Sequence, residues 1–299
     1  MLEHRRHHEA LAIEHPAPIE HIKDARHHNA IEQLNMGIER ASNEPGYRAA
    51  LDVFRHLYHY SPGNQIRIYG QFPTATLVNS YDRWKESKRQ VKRGERGIKV
   101  YYPQFRIFEV ENDEGKIEPR KMLTGFGEGN VFDISQTEGP DIEIPVPSLN
   151  FSTTDGALEL DRRVSLQGIG KGIIFEQKPL PERYRGFFEP RTNRVVLNNR
   201  LPADDGRLKT LVHEYIHALE HGKQGHEGRD LSEVIAEGGA YTLLGYHGID
   251  TAEYSFPYVT SYAFDRDVMK IALPRIAAVT KDLITGVAVE DPERAPEWL

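Results

Sequence analysis

The sequence predicts an α+β protein of two domains. Its 299 residues exceed what one domain of ordinary size needs. Strand-like patterning closes the first half, whereas long helical periodicities dominate the second. Between them, Thr137 to Pro147 holds three prolines, Pro140, Pro145 and Pro147. These observations place a polar N-terminal arm at 1–42, a first domain at 43–136, a linker at 137–150 and a second domain at 151–299.

The first 42 residues carry seven of the fourteen histidines at irregular spacing, which fits a solvated, partly helical arm. After Pro45, YRAALDVFRHLYHYS has the apolar spacing of an amphipathic helix, and Ser61-Pro62-Gly63-Asn64 breaks it. TLVNSYDRWKESKRQVKRGERG reads as a helix ending at the Gly94 to Gly97 turn. From Gly97 to Phe126 the pattern is that of strands, with Asn112 to Gly115 as a hairpin tip. The second half begins with a helix near 155–167. Strands follow at GIIFEQ and RGFFEPRTNRVVLNN, the latter turning at Pro190 to Asn193. Helices are expected at GRLKTLVHEYIHALEHG, at LSEVIAEGGAYTLLGYHG, and from Asp265 to about Gly286.

Composition removes several classes of function. Mean hydropathy is -0.59 and no run approaches the ~20 apolar residues of a membrane span, so no membrane partner is expected. MLEHRRHHEA is followed by no apolar stretch, which makes the cytoplasm the expected location. The absence of cysteine excludes disulfides, thiolate metal sites and cysteine nucleophiles. Any metal must therefore be held by His, Asp or Glu. GIGKGI at Gly168 lacks the Ser or Thr of a phosphate loop, and no G-x-S-x-G elbow is present.

His213-Glu214-Tyr215-Ile216-His217 matches H-E-x-x-H, a pattern that sets two imidazoles on one helix face. Leu208, Leu211, Val212, Ile216 and Leu219 give the same helix an apolar face. Catalytic zinc usually takes three protein ligands and a water. A metzincin would supply a third histidine at position 223, where this chain has Lys223. The following helix offers Glu233 and Glu237, one turn apart. This is similar to the gluzincin arrangement, in which the first acid binds the metal and the second receives the N–H of a ligating histidine. Glu233 is accordingly assigned to a Zn2+ ion and Glu237 to His213 or His217 behind it. His221 and His226 are read as surface residues, as are Glu220, Glu227 and Asp230. Glu214 is the expected general base for hydrolysis of a peptide bond. Tyr258 and Tyr262 are candidate oxyanion donors. The strand Arg194 to Asn198 is either an exposed edge that pairs with extended substrate or sheet interior.

The net charge of -7 is unevenly spread. From Phe54 to Arg106 eleven Lys/Arg face three acids, so this stretch carries +8 and the remainder -15. Ten of the chain's 28 aromatic residues lie in the same stretch. Such interleaving suits single-stranded nucleic acid, with cations on phosphates and rings on bases. It equally suits an ordinary core beside a solvated basic helix.

Two runs carry a more specific signal: W-x4-R-x-V-x-x-G-E-x-G-I from Trp84 to Ile98, and VFD-x-SQTEG from Val131 to Gly139. With HEYIH, SEVIAE and FPYVTSYAFD they resemble the ArdC-type antirestriction proteins of mobile elements, over about residues 45–285. The resemblance implies a single-stranded DNA-binding first half, a gluzincin-like zinc metallopeptidase domain in the second, and protection of incoming DNA from restriction. The arm differs from that family, and Tyr262 or a neighbour stands where the family often has Trp. Arg89, Lys92, Arg93 and Lys99 are the expected phosphate contacts, with Trp84 and Tyr60 as stacking candidates. The expected partners are single-stranded DNA and an unidentified protein substrate. The alternative is a non-catalytic DNA-binding antirestriction protein with a structural zinc.

Overall fold

The computed structural model describes residues 25–112, 115–142, 154–200, 205–221, 229–251 and 264–288. The first half opens with helices α1 (Ala25–Ala41), α2 (Glu44–His56) and α3 (Pro62–Gln71). Asn43 starts α2 by accepting the Gly46 N–H at 2.9 Å, with Pro45 in the first turn, where no N–H is missed. α2 already ends at His56, ahead of the expected break at Ser61-Pro62, and those two residues instead begin α3. The stretch NQIRIYGQF, to which the sequence pattern assigns no element, is therefore helical and buries Ile66, Ile68 and Tyr69.

Only part of the expected arm falls within the described residues, and that part is helical with one face buried and the other exposed. Ile38 and Ala41 of α1 are buried, and α1 packs on α2 and α3. The close crossing with α3 depends on glycine: a Cβ on Gly70 would lie 2.7 Å from the Gly37 nitrogen. The arm's histidines up to position 24 lie outside the described residues.

The long helix expected before Gly94 is broken into three pieces: β1 (Val78–Ser80), α4 (Tyr81–Glu86) and β2 (Gln90–Val91). Tertiary demands override helix propensity here. Trp84 is fully buried and donates its indole N–H to the Phe132 carbonyl at 2.8 Å. Lys88 then adopts φ 58°, which no helix accommodates.

The expected hairpin is present and long. β3 (Ile98–Glu111) and β4 (Ile117–Asp133) pair antiparallel from Ile98↔Val131 to Glu111↔Ile117, with a bulge at Gln104/Phe105. β1 joins β4 only at Val131 to Asp133. Beyond that, β3 and β4 form a two-stranded ribbon. β5 (Thr137–Glu138) returns to pair with β2.

The second half comprises α5 (Thr154–Gly170), β6 (Ile174–Lys178), β7 (Gly186–Glu189), β8 (Arg194–Asn198), α6 (Asp205–Glu220), α7 (Arg229–Tyr246) and α8 (Arg266–Val287). The sheet order is β6-β8-β7, with β6 parallel and β7 antiparallel to β8. Arg194 to Asn198 is thus the middle strand, so the edge-pairing alternative does not apply to it. The outer strand beside α6 is β7.

The helices of the two halves pack against each other, α2 on α7 and α3 on α8. Tyr47, fully buried in α2, donates its hydroxyl to the Val234 carbonyl of α7 at 3.0 Å. One cluster of buried residues runs from Ile38 to Val287. Among the described residues no helix is long and apolar enough to cross a membrane.

Candidate metal centre

Helix α6 is amphipathic in the way the sequence implies. Leu208, Leu211, Val212, Tyr215 and Ile216 are buried, and the two histidines one turn apart face α7. Helix α7 anchors itself through Val234, Ile235, Ala236 and Ala240, and presents Glu233 and Glu237 to α6. The two helices meet closely because residue 239 is glycine, where a Cβ would stand 2.8 Å from Ile216 Cδ1.

The structure brings together three of the residues assigned to the metal. One donor atom each from His213, His217 and Glu233 lies within 4.8 Å of the others. The two Nε2 atoms are 3.0 Å apart, and Glu233 sets one oxygen 3.3 Å from His213 Nε2 and the other 3.7 Å from His217 Nε2. The Glu233 side chain is 43% exposed, against 13% and 18% for the histidines, so the cluster is open on the Glu233 side. Glu237 lies behind it, with Oε1 3.2 Å from His213 Nδ1. Its other oxygen is 3.0 Å from Lys209 Nζ.

The electrostatics follow from these contacts. Burial lowers the His213 pKa, but Glu233 and Glu237 outweigh that and carry it up to about 9. Hydrogen bonds from His213 and His217 hold the Glu233 carboxyl far below the usual range. Burial raises Glu237, yet His213 and Lys209 together bring it down. Glu214 is raised by burial, against the pull of both histidines, and it accepts a hydrogen bond from the backbone N–H of Phe188 in β7.

Two imidazole nitrogens and a carboxylate with an open side form a donor set suited to a divalent transition ion such as zinc. A carboxylate behind the ring of one ligand is a recurrent companion of such sites. His221, the competing ligand, instead packs edge-on against Phe188 with ring centroids 5.5 Å apart. Glu220 pairs with Arg275 of α8 at 2.7 Å, and Asp230 is exposed. His226, Glu227, Tyr258 and Tyr262 lie outside the described residues. The sequence pattern does not single out Lys209, although its place four residues before His213 puts it on the same helix face.

The expected DNA-binding residues lie around β2, β3 and β5. Three of the four cations are engaged within the chain. The Arg89 guanidinium donates to Thr137 Oγ1 at 2.8 Å and to the carbonyls of Thr137, Gly139 and Pro140. Lys92 reaches the Ser135 carbonyl at 2.8 Å, and Lys99 pairs with Glu128 at 2.6 Å. Arg93 is exposed. Trp84 has no exposed face for stacking. Tyr60 is half-buried and donates to the Val78 carbonyl at 3.1 Å.

The VFD-x-SQTEG run has a structural task as well. Asp133 accepts from the N–H groups of Thr76, Leu77 and Ser135, while Gln136 returns to the Asp133 N–H and also holds Glu95 and Arg96. The two sequence runs therefore clasp each other.

Fold and site define an α+β protein with a candidate His/His/Glu metal centre between paired helices. Residues 27–132 match the model for the N-terminal domain of anti-restriction factor ArdC, about a third of the chain. An uncharacterized protein of Bacillus anthracis is 26% identical over 242 residues, covering 68% of this chain and 41% of its own length. The chain thus spans about two fifths of that relative. The metal-free crystal structure of the antirestriction ArdC protein from the R388 plasmid shares 19% identity, with a TM-score of 0.47 over 77% of this chain and 85% of that one. The Mn(II)-bound structure of the same protein shares 17%, with a TM-score of 0.43 over 78% and 86%.

Proposed function

We propose that this chain is a single-stranded DNA-binding antirestriction protein with a zinc metallopeptidase centre of gluzincin-like arrangement in its second half. The observation that carries the metal reading is the convergence of His213, His217 and Glu233, with Glu237 placed behind His213. A bound divalent zinc ion supplies a Lewis acid at the open side of that cluster. Glu233 and the two histidines would hold the ion, and Glu237 would orient the His213 ring. Glu214, whose pKa burial raises, is the base that would take a proton from the attacking water and return it to the leaving amine. The DNA reading rests on the ArdC N-terminal domain match and on the basic, aromatic composition of that half. The substrate is then a protein met on DNA.

One observation favours a second reading. The Glu214 carboxylate already serves the Phe188 N–H, a role that needs no catalysis. In this reading the metal is structural and DNA coating alone protects.

Elemental analysis and assays on DNA-bound proteins decide. We expect about one zinc per chain, lost in His213→Ala and Glu233→Ala and kept in Glu214→Gln. Cleavage by wild type but not by Glu214→Gln supports the peptidase. Metal retention without cleavage by either supports the structural reading, and a metal-free wild type overturns both.

A further inference from the structure

Among the described residues no third strand pairs with the distal part of the β3–β4 ribbon, and a two-stranded ribbon is marginal by itself. It nevertheless displays large apolar side chains. Phe105, Leu123 and Phe126 are 48%, 49% and 59% exposed. The pairings Phe105↔Leu123 and Pro103↔Phe126 put these three on one face. On the opposite face Tyr102, paired with Gly127, is 48% exposed. Its ring lies against Gly127, where a Cβ would stand 2.6 Å from it, and close to Gly129.

Charge in this section is of one sign. Between Tyr101 and Phe108, and between Pro119 and Gly127, the charged residues are Arg106, Arg120 and Lys121, with no acid. All three are exposed, and among the described residues none forms an ion pair. Lys121 Nζ sits 4.7 Å from the centre of the Phe105 ring. The chain as a whole is acidic; of the ribbon's acids, Glu109, Glu111 and Glu118 lie toward its tip, and Glu128, opposite Tyr101, is engaged by Lys99 and the Tyr101 hydroxyl.

We infer that the middle of this ribbon binds single-stranded DNA around both faces: Phe105 and Phe126 receive bases beside Lys121 on one face, and Tyr102 receives a base beside Arg106 and Arg120 on the other. This rests on the DNA-binding reading above and moves the DNA onto a different surface. Rings alternating with unpaired cations are what a sequence-tolerant single-strand surface requires. Three of the four cations expected from the sequence are engaged inside the fold, whereas these three project from it. An apolar face alone would equally fit a protein partner. The acid-free run of cations among the rings is what favours a polyanion.

The test is fluorescence anisotropy with a labelled mixed-sequence single-stranded oligonucleotide and the full chain, over a range of salt. Phe105→Ala/Phe126→Ala should weaken binding at least tenfold with an unchanged salt slope. Arg106→Gln/Arg120→Gln/Lys121→Gln should weaken it and flatten the slope by up to about 2, at ~0.7 for each phosphate no longer neutralised. Thermal midpoints should stay at the wild-type value, because the altered side chains are exposed. If wild type binds and both variants bind equally well, the platform lies elsewhere while the DNA reading stands. If wild type does not bind, both fall. If the variants change only the sedimentation mass, the ribbon is an interface between protein copies and the inference is overturned.

Discussion

Glu237 shows how much a single carboxylate can be asked to do. One oxygen meets His213 Nδ1 and the other meets Lys209, so the His213 ring has its Nε2 turned to His217 and Glu233. Glu237→Gln keeps the shape but gives up the negative acceptor, and zinc affinity should fall about 10- to 100-fold in a chelator competition. An unchanged affinity would remove Glu237 from the site. His247, 7% exposed, makes a different prediction. Burial, with a smaller contribution from Arg163, pushes its pKa down to about 3. The unfolded chain protonates this ring below about 6.5, so the stability it contributes is complete above that pH and is lost as pH falls toward 3. His59, lowered to about 4 by burial and by Lys281, acts in the same sense. His213 acts oppositely in metal-free protein: its raised pKa stabilises below about 6.5, and that is lost as pH rises through about 9. The first two dominate on the acid side. The unfolding free energy of metal-free protein, from urea titration, should therefore fall between pH 7 and pH 5 by an amount on the order of 2 kcal/mol per buried histidine, and the urea midpoint with it. A flat midpoint over that interval would contradict this.

At the scale of elements, the clasp between the Trp84–Ile98 and Val131–Gly139 runs explains why those residue types stand at those spacings. Arg89→Ala removes the donors that hold Thr137, Gly139 and Pro140, and should cost about 1–3 kcal/mol in chemical unfolding. The salt slope of DNA binding should change little, since this guanidinium is engaged inside the chain. A large fall in slope without loss of stability would restore Arg89 as a phosphate ligand. Here the sequence is legible in part. The H-E-x-x-H helix, the acids of α7 and the hairpin can be read because periodicity and spacing are local properties. The break after Leu77 cannot be read, because it is imposed by the burial of Trp84 against Phe132, a residue 48 positions away in sequence. Lys209 escapes notice for a similar reason, since its role depends on a carboxylate of another helix. Ser61-Pro62 carries the start signal of α3, yet in the sequence the same residues read as the breaker of the helix before it, and a breaker hides the opening that follows.

Across the whole molecule, α2 and α3 share buried surface with α7 and α8, and Tyr47 bonds to the backbone immediately after Glu233. Unfolding by urea should accordingly be one cooperative transition by far-UV dichroism and, in a Trp298→Phe chain, by Trp84 fluorescence, with coincident midpoints. Two separated midpoints would show that the halves fold independently. The prolines after Thr137 signal a linker, but whether the elements on either side share a core depends on helix faces whose partners the sequence does not name. Tyr47→Phe should loosen the packing behind α7 and lower the unfolding free energy by roughly 1 kcal/mol.

The grip of Lys209 on Glu237 also fixes a sum. Counted as formal charges, Glu214, Glu233 and Glu237 against Lys209 give the half-buried cleft between α6 and α7 two surplus negative charges when its histidines are neutral. That is the charge of one dication. A monovalent ion leaves the cleft negative and a trivalent ion leaves it positive, so valence itself becomes a criterion for entry. Without Lys209 the surplus would be three, and the cleft would favour more highly charged ions.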